Sequence, residues 1–315
     1  MLDAPSTPNE AAALAPAAPE AEVAPPHPPA FEGSLLAPAL PAPGPPRFRR
    51  IPHFGHLALL GLLLLAGLMG SVILILVALY FHLFGVARIE DAMHSLPYAV
   101  GTMAVLYLIA FAPAAAVFPM LWGKSLSAGL QWNASAARRR WPVLMGAGAA
   151  CFLLALAVKS ILHFPAKSPI AGLLSTPQAV WIMFAFSITV APLCEEAIFR
   201  GFLLPAFSTA FDWTAEKLTR RTPRTLLPDG HPQWSLSAMI LGALLTSALF
   251  AAFHVGQIGN AIGPLVLIFL VSLILCAVRL ATRSLAASTL THATYNCTLF
   301  LVMLIGTHGF RNLHN

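Results

Sequence analysis

Seven stretches of this chain are each long enough and apolar enough to cross a lipid bilayer, and this limits the fold more than any motif does. They lie at about 56–84, 97–122, 141–163, 177–207, 235–255, 262–281 and 285–306. A helix needs about 20 predominantly apolar residues to span the hydrocarbon core. Inside that core every backbone N–H and C=O must be satisfied by the protein itself. The expected fold class is therefore all-α, a polytopic integral membrane helix bundle of about seven transmembrane helices. Composition agrees, because 58% of the 315 residues are hydrophobic and only 10% are charged, where soluble domains carry about 25% charged residues. The fourth stretch exceeds one crossing and contains Pro192, which predicts a kink or two short helices.

Before the first span, residues 1–46 hold 13 of the 27 prolines among many alanines and have no apolar core of signal-peptide length. This composition predicts a Pro/Ala-rich disordered tail over 1–50, acting as a flexible linker rather than as a polyproline ligand. The rest divides into N-terminal transmembrane helices over 51–170 and a second set over 171–315 that carries the polar clusters described below. The net charge of +6 does not come from a nucleic-acid motif, and nucleic acid is not an expected partner. Its bases sit between the apolar runs. With the tail on the cytoplasmic side, Arg47, Arg49, Arg50, Lys124, Arg138, Arg139, Arg140, Lys217, Arg220, Arg221, Arg224, Arg279 and Arg283 fall inside. Only Arg88, Lys159, Lys167 and Arg311 fall outside. This positive-inside bias predicts a cytoplasmic N-terminus, and the expected setting is a bacterial cell membrane. Cys151, Cys194, Cys276 and Cys297 lie in apolar stretches without CxxC spacing, so free buried thiols are expected rather than disulfides or a structural zinc.

Sorting the ionisable residues against the spans isolates three clusters. Aspartate occurs only at 3, 91, 212 and 229, outside the expected spans, which removes the intramembrane pair of an aspartyl protease. Glu195 and Glu196 are the acids expected inside a span, and Arg200 follows four residues after Glu196. Of eleven histidines, only His254 and His292 lie within late spans beside other polar groups. Phe250 precedes His254 by four residues, and Asn296 follows His292 by four. Residues four apart share one helix face, so three helices can present polar faces to one another. In a bilayer such faces turn toward the protein interior or a wet cavity.

Each piece alone has a plain structural reading. A lone His or Asn in a membrane helix is more often interhelical glue than a ligand, and Glu196 with Arg200 makes a structural ion pair. Glu195 is harder to place that way, since one arginine neutralises one carboxylate. A second carboxylate beside the pair suits a general base in contact with water.

Glu195-Glu196-x-x-x-Arg200, Phe250-x-x-x-His254 and His292-x-x-x-Asn296, each in its own membrane helix, resemble the CPBP (Abi) intramembrane proteases. That family includes the CAAX prenyl endopeptidases of the Ras-converting type. The resemblance covers about residues 180–300, and Gly201 after the arginine also fits. The long basic loop at about 208–234 and the proline-rich tail depart from the pattern. The resemblance implies that 171–315 is an intramembrane protease core in which Glu195 activates a water with help from His254. His292 and Asn296 would then stabilise the oxyanion formed on a peptide carbonyl, with Glu196, Arg200 and Phe250 in support. Its substrate would be a peptide or a prenylated protein, although the chain's own end, Asn312-Leu313-His314-Asn315, is no CAAX signal.

Metal use stays open at this point. Glu195, His254 and His292 are a ligand set that zinc or another divalent metal would accept, with one position left for water. Yet HExxH is absent, and the same residues work as a metal-free glutamate and oxyanion site. No G-x-S-x-G suggests a serine protease. A transporter would spread its acids along a path, whereas these two are adjacent. A non-catalytic membrane scaffold or immunity-type factor is the remaining alternative.

Overall fold

The computed structural model describes residues 50–310, apart from 87, 94, 166–171, 175, 221, 223–225 and 228–229. The expected disordered tail lies outside the described residues except at its last position, as do several of the loop bases used for orientation. The chain is a multi-pass integral membrane protein, and among the described residues seven helical spans are long and apolar enough to cross a bilayer. They are α1 (Phe54–Tyr80), α2 (Leu96–Trp122), α3 (Trp141–Ile161), a compound fourth span, α7 (Leu236–Phe253), α8 (Ile262–Thr282) and α9 (Leu285–Gly306). The compound span consists of α4 (Pro177–Ile188), α5 (Val190–Glu196), a π-helical segment (Ala197–Leu203) and α6 (Leu204–Thr219). The spans belong to one compact unit, Phe48–Asn315. Among the described residues the single β pairing is one bridge between Leu226 and Pro232.

Leucine-rich runs make the helices, and short polar groups set their ends. Ser235 caps α7 by accepting from Ala238 N–H at 3.1 Å, and Ser284 caps α9 by accepting from Ala287 N–H at 3.1 Å. Ser284 also donates to the Asn133 carbonyl at 2.7 Å, which fixes the start of α9 against the α2–α3 connection. A tight turn joins α8 to α9, with Arg283 in the left-handed region at φ 48°.

Adjacent helices in the bundle pair α1 with α2, α3 with α9, α6 with α7, and α7 with α8. Gly148 lets α3 come so close to α9 that an added Cβ would stand 2.5 Å from the Thr291 carbonyl. Leu60, Phe118, Trp122 and Phe202 pack a core between α1, α2 and the π-helical segment. Outward faces stay apolar and open. Leu62 on α1 is 64% exposed, as expected of a side chain that faces lipid rather than water.

The fourth span breaks as the sequence predicts, and more elaborately. Pro192 has no N–H for the Ile188 carbonyl, and its ring crowds that carbonyl. The helix gives way at Thr189 (φ −121°, ψ −83°). The end of the span differs from expectation, because α6 runs on to Thr219 instead of stopping near Phe207. Asp212 and Glu216 therefore lie in α6, the last part of the fourth span, not in a loop. The reason is tertiary. Asp212 accepts from Ser235 N–H at 2.8 Å and Ser235 Oγ–H at 2.6 Å, so α6 beyond Phe207 is tied to the residue that caps α7. Gly242 of α7 then packs against Ser208 of α6.

Candidate active site

The extension of α6 brings the three polar clusters level. A helix 18 residues long rises about 27 Å, so His254 at the end of α7 lies far from that helix's start. His292 lies only seven residues past the first residue of α9. The two meet because α7 begins beside Asp212, well beyond the expected end of the fourth span. Phe250 then reaches the π-helical segment, with its ring 4.9 Å from that of Phe199.

Glu196 and Arg200 are both fully buried. Arg200 Nη1 donates to Glu196 Oε1 at 2.9 Å, as the spacing predicts. Arg200 Nη2 donates to Ser272 on α8, to its carbonyl at 3.0 Å and its hydroxyl at 2.6 Å. The guanidinium carbon stands 4.6 Å over the Phe250 ring, a cation–π contact in a dry site. The Glu196 carboxylate is also shared with α9, because His292 Nδ1 lies 3.0 Å from Glu196 Oε1. A carboxylate only accepts, so Nδ1 carries the hydrogen.

Glu195 faces the other way. Its side chain is 20% exposed, and its Oε2 lies 3.8 Å from His292 Nε2. It opens on a cavity of about 660 Å³ that His254, His292 and Asn296 also line. His254 Nδ1 lies 2.7 Å from the Phe250 carbonyl. This bond places the proton on Nδ1 and leaves Nε2 as an acceptor in the neutral ring. Asn296 Nδ2 donates one hydrogen to the Ser187 carbonyl at 2.7 Å, and its second amide hydrogen remains for another acceptor.

All seven residues singled out by the sequence therefore belong to one neighbourhood, with Glu195, His254, His292 and Asn296 on the cavity and Glu196 and Arg200 behind it. Phe250 lines the cavity as well. Among the described residues, no group of three or more His, Cys, Asp or Glu side chains is arranged to hold a metal ion. In both histidines Nδ1 is engaged, by the Phe250 carbonyl in His254 and by Glu196 in His292, which leaves the Nε2 atoms for water, substrate or a metal.

Sequence reasoning missed Ser187, Ser272 and Tyr107. Tyr107 of α2 lines the cavity. A hydroxyl in a mainly apolar helix is the local signal each of them gives. It says that a partner exists and not which one.

Residues 176–298 match the family model described as type II CAAX prenyl endopeptidase Rce1-like. The chain carries an Rce1-like segment. That segment contains all seven motif residues and begins at the N-cap of α4. Among curated proteins, the chain is 30% identical over 154 residues to an uncharacterized 24.3 kDa protein of Escherichia coli, covering 48% of this chain and 58% of that protein. The chain thus spans less than two thirds of the length of this relative. No solved structure matches it.

Proposed function

We propose that the protein is an intramembrane endopeptidase in which Glu195 acts as general base on a water in the cavity. The observation that carries this reading is the division of labour between adjacent carboxylates. Glu196 is sealed and neutralised by Arg200, and Glu195 is left open to the cavity.

Water bound between Glu195 and Nε2 of His254 attacks the peptide carbonyl carbon. A C–O bond forms while the water's proton passes to Glu195. The carbonyl oxygen becomes an oxyanion and meets the second amide hydrogen of Asn296. Donation from His292 Nε2 to the same oxygen requires a proton on both ring nitrogens, since Nδ1–H is engaged with Glu196. Collapse of the intermediate breaks the C–N bond, and the proton on Glu195 leaves with the amine. General base catalysis contributes about 10²–10⁴-fold, and a preorganised oxyanion donor about 10²–10³-fold. Every step runs on side chains and water, with none routed through a metal.

The substrate reading is a peptide that carries an apolar, CAAX-type prenylated end. The Rce1-like match supports it, as do Leu267, Ile268, Val271, Leu299 and Phe300 along the cavity wall.

The test is cleavage by purified protein of a peptide panel with and without prenyl groups, comparing wild type, Glu195→Gln and Glu195→Ala, with and without chelator. Glu195→Gln is expected to lose at least about 10²-fold in kcat. Cleavage at the wild-type rate by Glu195→Gln would refute the assignment, and loss on chelation restored by metal would refute the metal-free route. Failure of wild type to cleave anything would favour the scaffold alternative.

A further inference from the structure

A second cavity, which shares no residue with the first, opens where α1 begins and α6 ends. It has a volume of about 1150 Å³. Arg50, Lys217 and Arg220 line it against one carboxylate, Glu216, which Arg50 already holds at 2.7 Å. Two imidazoles join the cations. His53 Nδ1 accepts from Gly55 N–H at 3.0 Å, and His56 Nδ1 accepts from His53 N–H at 3.3 Å. With Nδ1 serving as acceptor in each ring, the neutral tautomer carries its proton on Nε2. The wall therefore combines an excess of positive charge with two imidazole donors.

Aromatic rings line the same cavity. Phe54 and Trp213 are 49% and 55% exposed and stand at the end of the bundle, where aromatic rings sit at the headgroup level of a membrane. Lys217 Nζ lies 5.8 Å from the Trp213 ring, and Phe54 stacks edge-on with Phe207 at 5.6 Å. An anion alone has no use for these apolar faces, and a neutral lipid has no use for the excess cations.

We propose that this cavity binds the headgroup of an anionic phospholipid. The phosphate would meet Lys217, Arg220 and the imidazole donors, and the glycerol and upper acyl chains would lie against Phe54 and Trp213. Basic side chains near a membrane surface attract anionic lipid additively, so removing two of them weakens binding in a predictable way.

The experiment titrates the purified full-length protein in neutral detergent with three probes: short-chain phosphatidylglycerol, short-chain phosphatidylcholine and inorganic phosphate. Phosphatidylglycerol is expected to bind at least tenfold tighter than phosphatidylcholine, with no competition from inorganic phosphate. Lys217 and Arg220 are exposed, so Lys217→Gln/Arg220→Gln should keep its unfolding midpoint and lose roughly 10- to 30-fold in phosphatidylglycerol affinity. Arg138→Gln/Arg139→Gln, outside the cavity, should lose nothing. Equal affinity for the two lipids would overturn the proposal, as would displacement by inorganic phosphate, unchanged affinity in the first double variant, or an equal loss in the second. Binding is read without catalysis, so the result stands apart from the protease assay.

Discussion

Replacing Arg200 by methionine should cost about 3–5 kcal/mol of stability. The bonds lost are the one to Glu196 at 2.9 Å and the pair to Ser272 at 3.0 and 2.6 Å, together with the contact over Phe250. Those contacts do not set the figure by themselves, because burying a guanidinium carries its own desolvation cost. The larger part comes from what remains. Glu196 has no exposure to solvent, and without Arg200 its carboxylate is a charge in a dry interior. Adding Glu196→Gln removes the stranded charge, and the glutamine Oε1 can still accept from His292 Nδ1. The double variant should therefore be about 1–3 kcal/mol more stable than the two single losses predict when added. Reversible unfolding in mixed micelles of wild type, both singles and the double measures this. A loss below about 1 kcal/mol in Arg200→Met, or strict additivity in the double, would refute the view that the pair is held by mutual neutralisation.

Asn296→Ala should lower kcat by about 10²–10³-fold with little change in KM, read as initial rates on the best peptide of the panel. An equal rise in KM would instead mark Asn296 as a ground-state contact. Asp212→Ala removes the acceptor for both Ser235 N–H and its hydroxyl and should cost about 0.5–2 kcal/mol. Faster amide exchange confined to the first turn of α7 is the expected signature.

Much of this architecture is legible in the chain itself. The expected spans at 141–163 and 285–306 match α3 and α9 within about two residues, because long apolar runs bounded by Ser, Arg and Gly leave little freedom. The pairing of Glu196 with Arg200 follows from i, i+4 spacing. What failed was whatever depends on a distant partner. Nothing near Phe207 announces that α6 continues, since the group tied to it is Ser235, 23 residues after Asp212. Similarly, Ser272 reads as a stray hydroxyl until the fold sets it beside an arginine 72 residues away. The sequence assigns His292 to a developing oxyanion or to a metal. His292 also binds Glu196, a partner that spacing on its own helix could not reveal.

The π-helical segment Ala197–Leu203 works as a phase shifter. An α-helix turns about 100° per residue, and a wider turn absorbs one residue more than the α pattern allows. Upstream of it, the phase of the helix is set by Glu195 and Glu196 at the cavity. Downstream, it is set by Ser208 and Asp212, which must meet Gly242 and Ser235 of α7. Deleting Leu203 from the end of the segment would turn one of these faces away by about a quarter of a revolution while leaving the side chains of the site in the sequence. The position of His254 at the cavity is thus tied, through α7, to the length of a stretch that contains no cavity-lining residue.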